Sequence, residues 1–127
     1  MLDRRTFVTA LSSLPLRAQH SATANTADWR HIVNGWEIPD EHYADQPYVI
    51  ITDQGHWLCT ITTGGGVEGQ QGQHIVSLIS RDQGRTWDAA VAIEPATGPE
   101  ASWVMPLKAP SGRIYAFYTF NAANVRD

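Results

Sequence analysis

Short apolar runs separated by turn-forming residues make up most of the chain, and helical periodicity is almost absent between residues 45 and 120. Tyr48-Val49-Ile50-Ile51-Thr52 reads as a β-strand, Asp53-Gln54-Gly55 as a turn, and Trp57 to Thr62 as the antiparallel partner. A loop rich in Gly and Gln follows from Gly64 to Gln73. Next come the strand-like run His74-Ile75-Val76-Ser77-Leu78-Ile79, a turn, and the shorter run Ala89-Ala90-Val91-Ala92-Ile93. The pattern predicts an all-β chain whose first unit is a four-stranded antiparallel sheet.

The pattern then restarts. Trp103-Val104-Met105-Pro106-Leu107 echoes Tyr48-Val49-Ile50, Ala109-Pro110-Ser111-Gly112 echoes the first turn, and Arg113 to Phe120 echoes the second strand. Gly55 and Gly112 lie 57 residues apart. The approach also repeats, as Asp45-x-x-Tyr48-Val49 against Glu100-x-x-Trp103-Val104. One whole unit and the first hairpin of a second are therefore expected over residues 45–127. A small β-sandwich with coincidental hairpins is the competing reading. Residues 25–44 are polar and irregular, with Trp29, Ile32-Val33 and Trp36 as anchors for a segment packed across the domain.

Composition narrows the function classes. A length of 127 residues bounds the chain to one domain. Arg4-Arg5-Thr6-Phe7-Val8, a modest apolar run to Leu16, and Ala22-Thr23-Ala24 have the layout of an export signal over residues 1–24. The Arg-Arg-x-Phe-Val core is similar to a twin-arginine signal, which implies a bacterial protein exported folded to the periplasm or beyond. The plainer alternative is an amphipathic N-terminus. After Ala24 there are twelve acidic residues against six Lys and Arg, about −6 in net charge, which argues against nucleic acid or an anionic membrane as partner. No stretch after the export segment reaches the roughly 20 apolar residues of a membrane-spanning helix. Cys59 is the only cysteine, so neither an intrachain disulfide nor a thiolate metal cluster is available, and no metal or cofactor is expected.

The turn after the third strand carries the most specific pattern: Ser80-Arg81-Asp82-Gln83-Gly84-Arg85-Thr86-Trp87. Asp82 can bond its own backbone two residues on, Gly84 can supply positive φ, Thr86 suits re-entry into a strand, and Trp87 offers an apolar anchor. The eight residues match S-x-D-x-G-x-T-W at every specified position and resemble the Asp box of sialidases (neuraminidases) and their BNR-repeat relatives. That resemblance implies a six-bladed β-propeller, of which this chain would hold about one and a half four-stranded blades as an N-terminal fragment, inactive alone. It also implies that Ser80, Asp82, Gly84, Thr86 and Trp87 are structural and lie on the face away from substrate.

Strands alternate in direction, so the opposite face should collect three segments: Asp40 to Gln46, Thr63 to His74, and Glu94 to Ser102. They supply Asp45, Glu68, Gln70, Gln71, Gln73, His74, Glu100 and Ser102, with Trp103 and Tyr48 as stacking surfaces, a set suited to a polyhydroxylated sugar. The family hydrolyses sialosides with a Tyr nucleophile and an Asp acid/base, and clamps the sialate carboxylate with three arginines. Its first arginine belongs to an Arg-Ile-Pro motif that here reads Asp45-Gln46-Pro47, so proline is kept and arginine is not. In the loop that bears the family's acid, Glu68 is the only carboxylate. Glu68 is the catalytic candidate, and Asp45, Gln73, His74, Glu100 and Trp103 are the substrate-binding candidates. Two readings stand: an exported sialidase-like glycoside hydrolase acting at glycan termini, on a neutral or differently charged sugar, and a non-catalytic propeller that binds glycan or protein.

Overall fold

The computed structural model describes residues 28, 30–68 and 71–125. The export segment 1–24 and Trp29 lie outside the described residues, as does Gln70. The rest is all-β and antiparallel. β1 (Tyr43–Ile51), β2 (Trp57–Gly64), β3 (His74–Ser80) and β4 (Val91–Ala92) form one sheet in that order, and β5 (Glu100–Lys108) pairs with β6 (Ile114–Asn121) in a second. A 3-10 turn at Ile32–Asn34 precedes them. Among the described residues no helix is long and apolar enough to cross a membrane.

The boundaries of β1, β4 and β5 differ from the sequence reading, β5 beginning at Glu100 and not at Trp103. β1 begins at Tyr43, five residues ahead of the apolar run, and takes in Asp45, Gln46 and Pro47. It can do so through a bulge: Asp45 pairs with Thr62 and Tyr48 with Thr60, leaving one extra residue on β1, and Gln46 takes φ 49°. Pro47 has no N–H for the ladder, and a bulge on a strand with one unpaired edge is where such a residue is tolerated. The fourth strand is shorter than the run 89–93, reaching only Val91–Ala92. Ala89 and Ala90 contribute neither β-branching nor apolar bulk to hold a longer pairing.

The internal repeat is sharper in the coordinates than in the sequence. In the first turn Gly55 N–H donates to the Thr52 carbonyl and Thr52 N–H to His56; in the second, Gly112 donates to Ala109 and Ala109 to Arg113. Both glycines need the left-handed region, with φ 79° and 81°. β5 carries the same bulge, between Ser102 paired with Thr119 and Met105 paired with Phe117, with Trp103 at φ 57°. Every one of these pairs is offset by 57 residues, so Asp45 corresponds to Ser102 and Tyr48 to Met105. The approach echo of Tyr48 with Trp103, offset by 55, is therefore corrected by two positions.

Two apolar clusters lie on opposite faces of the first sheet. Cys59, Ile61, Val76 and Leu78 form one, closed by Ile38 from the N-terminal segment and by Trp87. Burial pushes the Cys59 thiol up to about 11, so it packs as a small neutral hydrophobe. Ile75, Ala101 and Val104 form the other, joined by Ile93, Ala116 and Tyr118. This second cluster seats the β5–β6 hairpin on the sheet. Polar ties fix its position: Trp103 N–H donates to Thr62 Oγ1 at 3.0 Å, Ala101 N–H to the Gln73 carbonyl at 3.1 Å, and Tyr118 hydroxyl to Glu94 at 2.5 Å. At the far end Lys108 Nζ reaches the Ile51 carbonyl at 3.1 Å and Asp53 at 2.6 Å.

Candidate functional site

The pairing register sets the two ends of the sheet. Tyr43 opposite Gly64 and Thr63 opposite His74 mark one end, while Ile51 opposite Trp57 and Trp57 opposite Ser80 mark the other. The Asp-box turn leaves β3 at the second end and spans ten residues, 81–90, before β4.

That turn is held by its own polar groups. Ser80 Oγ accepts from Gly84 N–H at 2.7 Å and donates to Asp82 Oδ1 at 2.9 Å. Asp82 Oδ1 accepts from Thr86 N–H at 2.8 Å, and Oδ2 from the Thr86 hydroxyl at 2.7 Å. Arg81 pairs with Asp88 across the base of the turn. Gly84 has φ 86°, and a Cβ there would stand 3.0 Å from the Trp57 ring, so both conformation and space require glycine. The Thr86 hydroxyl and amide, above all, lower the Asp82 carboxyl from 3.8 to about 2.

A depressed carboxylate stabilises the fold above its unfolded value and loses that contribution as pH falls through its folded value. Asp82→Asn should therefore melt below the native protein at neutral pH, and the gap in Tm should close between pH 3.8 and about 2. Thermal melts across that range check it; a gap unchanged at pH 2 would show that the charge is not what Thr86 holds. The carboxylate lies in exposed hydrogen bonds, so its loss costs less than that of a buried carboxylate.

At the first end lie Tyr43 and Asp45, two residues apart on one face of β1. Burial first, then the charges of Asp45 and Glu68, the nearby Asp45 side chain as acceptor, and the charge of Glu100 push the Tyr43 phenol above its usual value. The three candidate carboxylates, from β1, the glycine-rich loop and the start of β5, thus lie at the same end, where their charges reach Tyr43. Asp45 and Glu100 are half-buried and Glu68 is exposed. Among the described residues, no three of His, Cys, Asp and Glu are grouped to hold a metal ion.

The other candidates sit differently. Gln73 and His74 are 5% and 2% exposed. Gln73 Nε2 lies 3.5 Å from the Val67 carbonyl, and His74 lies between the Gly72 carbonyl at 3.5 Å and Glu41 at 3.6 Å. These side chains anchor the base of the loop that carries Glu68. Gly64 closes the same loop: a Cβ there would stand 2.6 Å from the Gly72 carbonyl oxygen. Thr63 Oγ1 donates to the Tyr43 carbonyl and accepts from Glu41 N–H, both at 2.8 Å, which locks the entry to β1. Trp103, beyond Glu100 on β5, is 56% exposed, and Tyr48 is 41% exposed.

Sequence reasoning passed over Tyr43 and Glu41. The signal for Tyr43 was its spacing of two from Asp45, which puts both on one face once β1 is extended that far. A cleft of about 470 Å³ opens elsewhere, beside the Asp-box turn, lined by Trp36, Trp57, Trp87, Val49 and Arg85 among others. The carboxylates lie at the other end of the strands. Chemically, the Tyr43 end offers a protonated hydroxyl, carboxylates able to accept from sugar hydroxyls or move a proton, and exposed aromatic rings nearby. Compared with known proteins, the chain matches no family model, no curated protein and no solved structure.

Proposed function

We propose that the protein is a sialidase-like glycoside hydrolase, exported by the twin-arginine route and built on a six-bladed propeller, and that the Tyr43 end forms one wall of its sugar site. The gathering of Asp45, Glu68 and Glu100 at the end of the sheet that holds Tyr43, away from Asp82, carries this reading. In it, Glu68 is the general acid/base, because it is the exposed carboxylate on the loop. Asp45 and Glu100 accept from sugar hydroxyls. The negative surroundings would repel a sialate carboxylate, so the fitting substrate is a terminal sugar that is neutral or positively charged. The exposed rings of Trp103 and Tyr48 favour a second reading, a propeller that binds glycan without cleaving it.

A panel of aryl glycosides offered to the full-length protein separates the two. Release of the aryl alcohol from neutral or amino sugars, faster than from the sialoside, is the expected result. Saturable binding of the sugars without release would establish the second reading in place of the first. Preferential cleavage of the sialoside would overturn the assignment of charge.

A further inference from the structure

Both bulges put the backbone into the left-handed region at a residue that is not glycine. Gln46 takes φ 49° on β1 and Trp103 φ 57° on β5, and the 57-residue offset maps one onto the other. That region strains an L-residue and leaves glycine unstrained, and bulges of this kind often carry glycine there. A bulky residue such as Trp103 is a marked exception. The two hairpin turns meet the same backbone requirement with Gly55 and Gly112. At the bulges the chain keeps a large side chain instead, twice over.

The two bulges are also tied together. Trp103 N–H donates to Thr62 Oγ1 at 3.0 Å, and Thr62 is the partner of Asp45 across β1 and β2. Gln46 follows Asp45 directly. The two strained residues therefore flank Asp45, one along the chain and one through Thr62, at the end that holds Tyr43 and away from Asp82. The φ angles, the register and the Thr62 bond are set within the two hairpins themselves. A bulge re-aims the side chain that it carries, and strain of this kind collects at binding and catalytic sites. The Gln46 carboxamide offers a donor and an acceptor together, which neighbouring sugar hydroxyls complement, and the Trp103 indole offers an apolar ring face.

We infer that Gln46 is a specificity-determining residue of the sugar site, its carboxamide bonding adjacent hydroxyls of a ring that Asp45 also holds and on which Trp103 stacks. This role rests on the reading of the Tyr43 end as a sugar site. It explains why position 46 bears a strained glutamine where glycine would be easier.

Glycine at position 46 separates the side chain from the backbone that carries it, and the full-length protein is the one to measure. Gln46→Gly relieves the left-handed strain, so it should melt no lower than the native protein and about 2 °C higher. Its KM for aryl glycosides should rise about tenfold with a smaller change in kcat, and its preference among sugars differing in one hydroxyl should narrow. Gln83→Gly is the control: Gln83 has φ 63° in the Asp-box turn, at the opposite end, and its replacement should leave KM unchanged. Gln46→Asn, which tolerates positive φ and shortens the reach of the amide, replaces the glycine variant if that one does not fold. A rise in KM below about threefold, or an equal rise for Gln83→Gly, overturns the inference and leaves the hydrolase reading standing. A lower melting temperature for Gln46→Gly also overturns it, because the side chain would then be holding the bulge. If the native protein binds sugars without cleaving them, Kd takes the place of KM and the same outcomes decide. A native protein that neither cleaves nor binds a sugar overturns both.

Discussion

Trp87→Ala should destabilise the protein by about 3 kcal/mol, the lower end of the roughly 3–5 kcal/mol range for removing a core aromatic, because the ring is half-buried. Trp87 packs against the cluster formed by Cys59, Ile61, Val76 and Leu78, and its Cζ2 edge would lie 3.7 Å from a Cβ at Gly84. It therefore joins the Asp-box turn to the sheet. Its indole Nε1–H is buried without a partner, so the ring contributes through apolar contact and not through a hydrogen bond. Trp87→Phe should for that reason retain most of the stability. Denaturant midpoints compare the three proteins. A loss below about 1 kcal/mol for alanine would mean that the turn is held by Ser80, Asp82 and Thr86 alone. Turnover per folded molecule should not change in either variant, since Trp87 sits at the end away from Tyr43.

In the full-length protein, Glu68→Gln should lower turnover by a factor of about 10²–10⁴, the usual contribution of a general acid or base, with little change in stability. The side chain is exposed on the loop, so the amide can replace it without a packing cost. Tyr43→Phe supplies the complementary measurement. It removes the hydroxyl and leaves the ring, so it should raise KM more than it lowers kcat if the hydroxyl positions the sugar. A fall of less than tenfold for Glu68→Gln would remove that residue from the mechanism and leave binding as the role of this surface.

Much of the architecture could be read from short apolar runs and from glycines at turns. The two hairpins, their glycines and the connection through the Asp box all followed from those signals. What escaped had a physical cause in each case. The start of β1 was hidden because Asp45-Gln46-Pro47 has the composition of a loop, and only a bulge admits it to a strand. The repeat was aligned two residues off because Tyr48 and Trp103 are both aromatic, whereas turn hydrogen bonds and bulges fix the true offset. Antiparallel topology alone predicted that Asp45, Glu68 and Glu100 share an end. It could not predict that Gln73 and His74 turn into the loop base, because that depends on how residues 64–73 fold back.

The close approach of Gly64 to Gly72 has a further consequence, for how this protein can change over generations. The two backbones pinch the loop where it leaves the sheet, and no side chain at position 64 fits between them. The sheet therefore meets the loop only at its neck. Residues inside the neck can be exchanged, added or removed while Thr63 and His74 keep their pairing. Loop closure grows costlier slowly, by about 0.6 kcal/mol for each doubling of length. New specificities could thus be sampled in residues 65–71 at small thermodynamic risk. Libraries diversified there should keep the melting temperature of the parent, and those diversified at positions 64 and 72 should not.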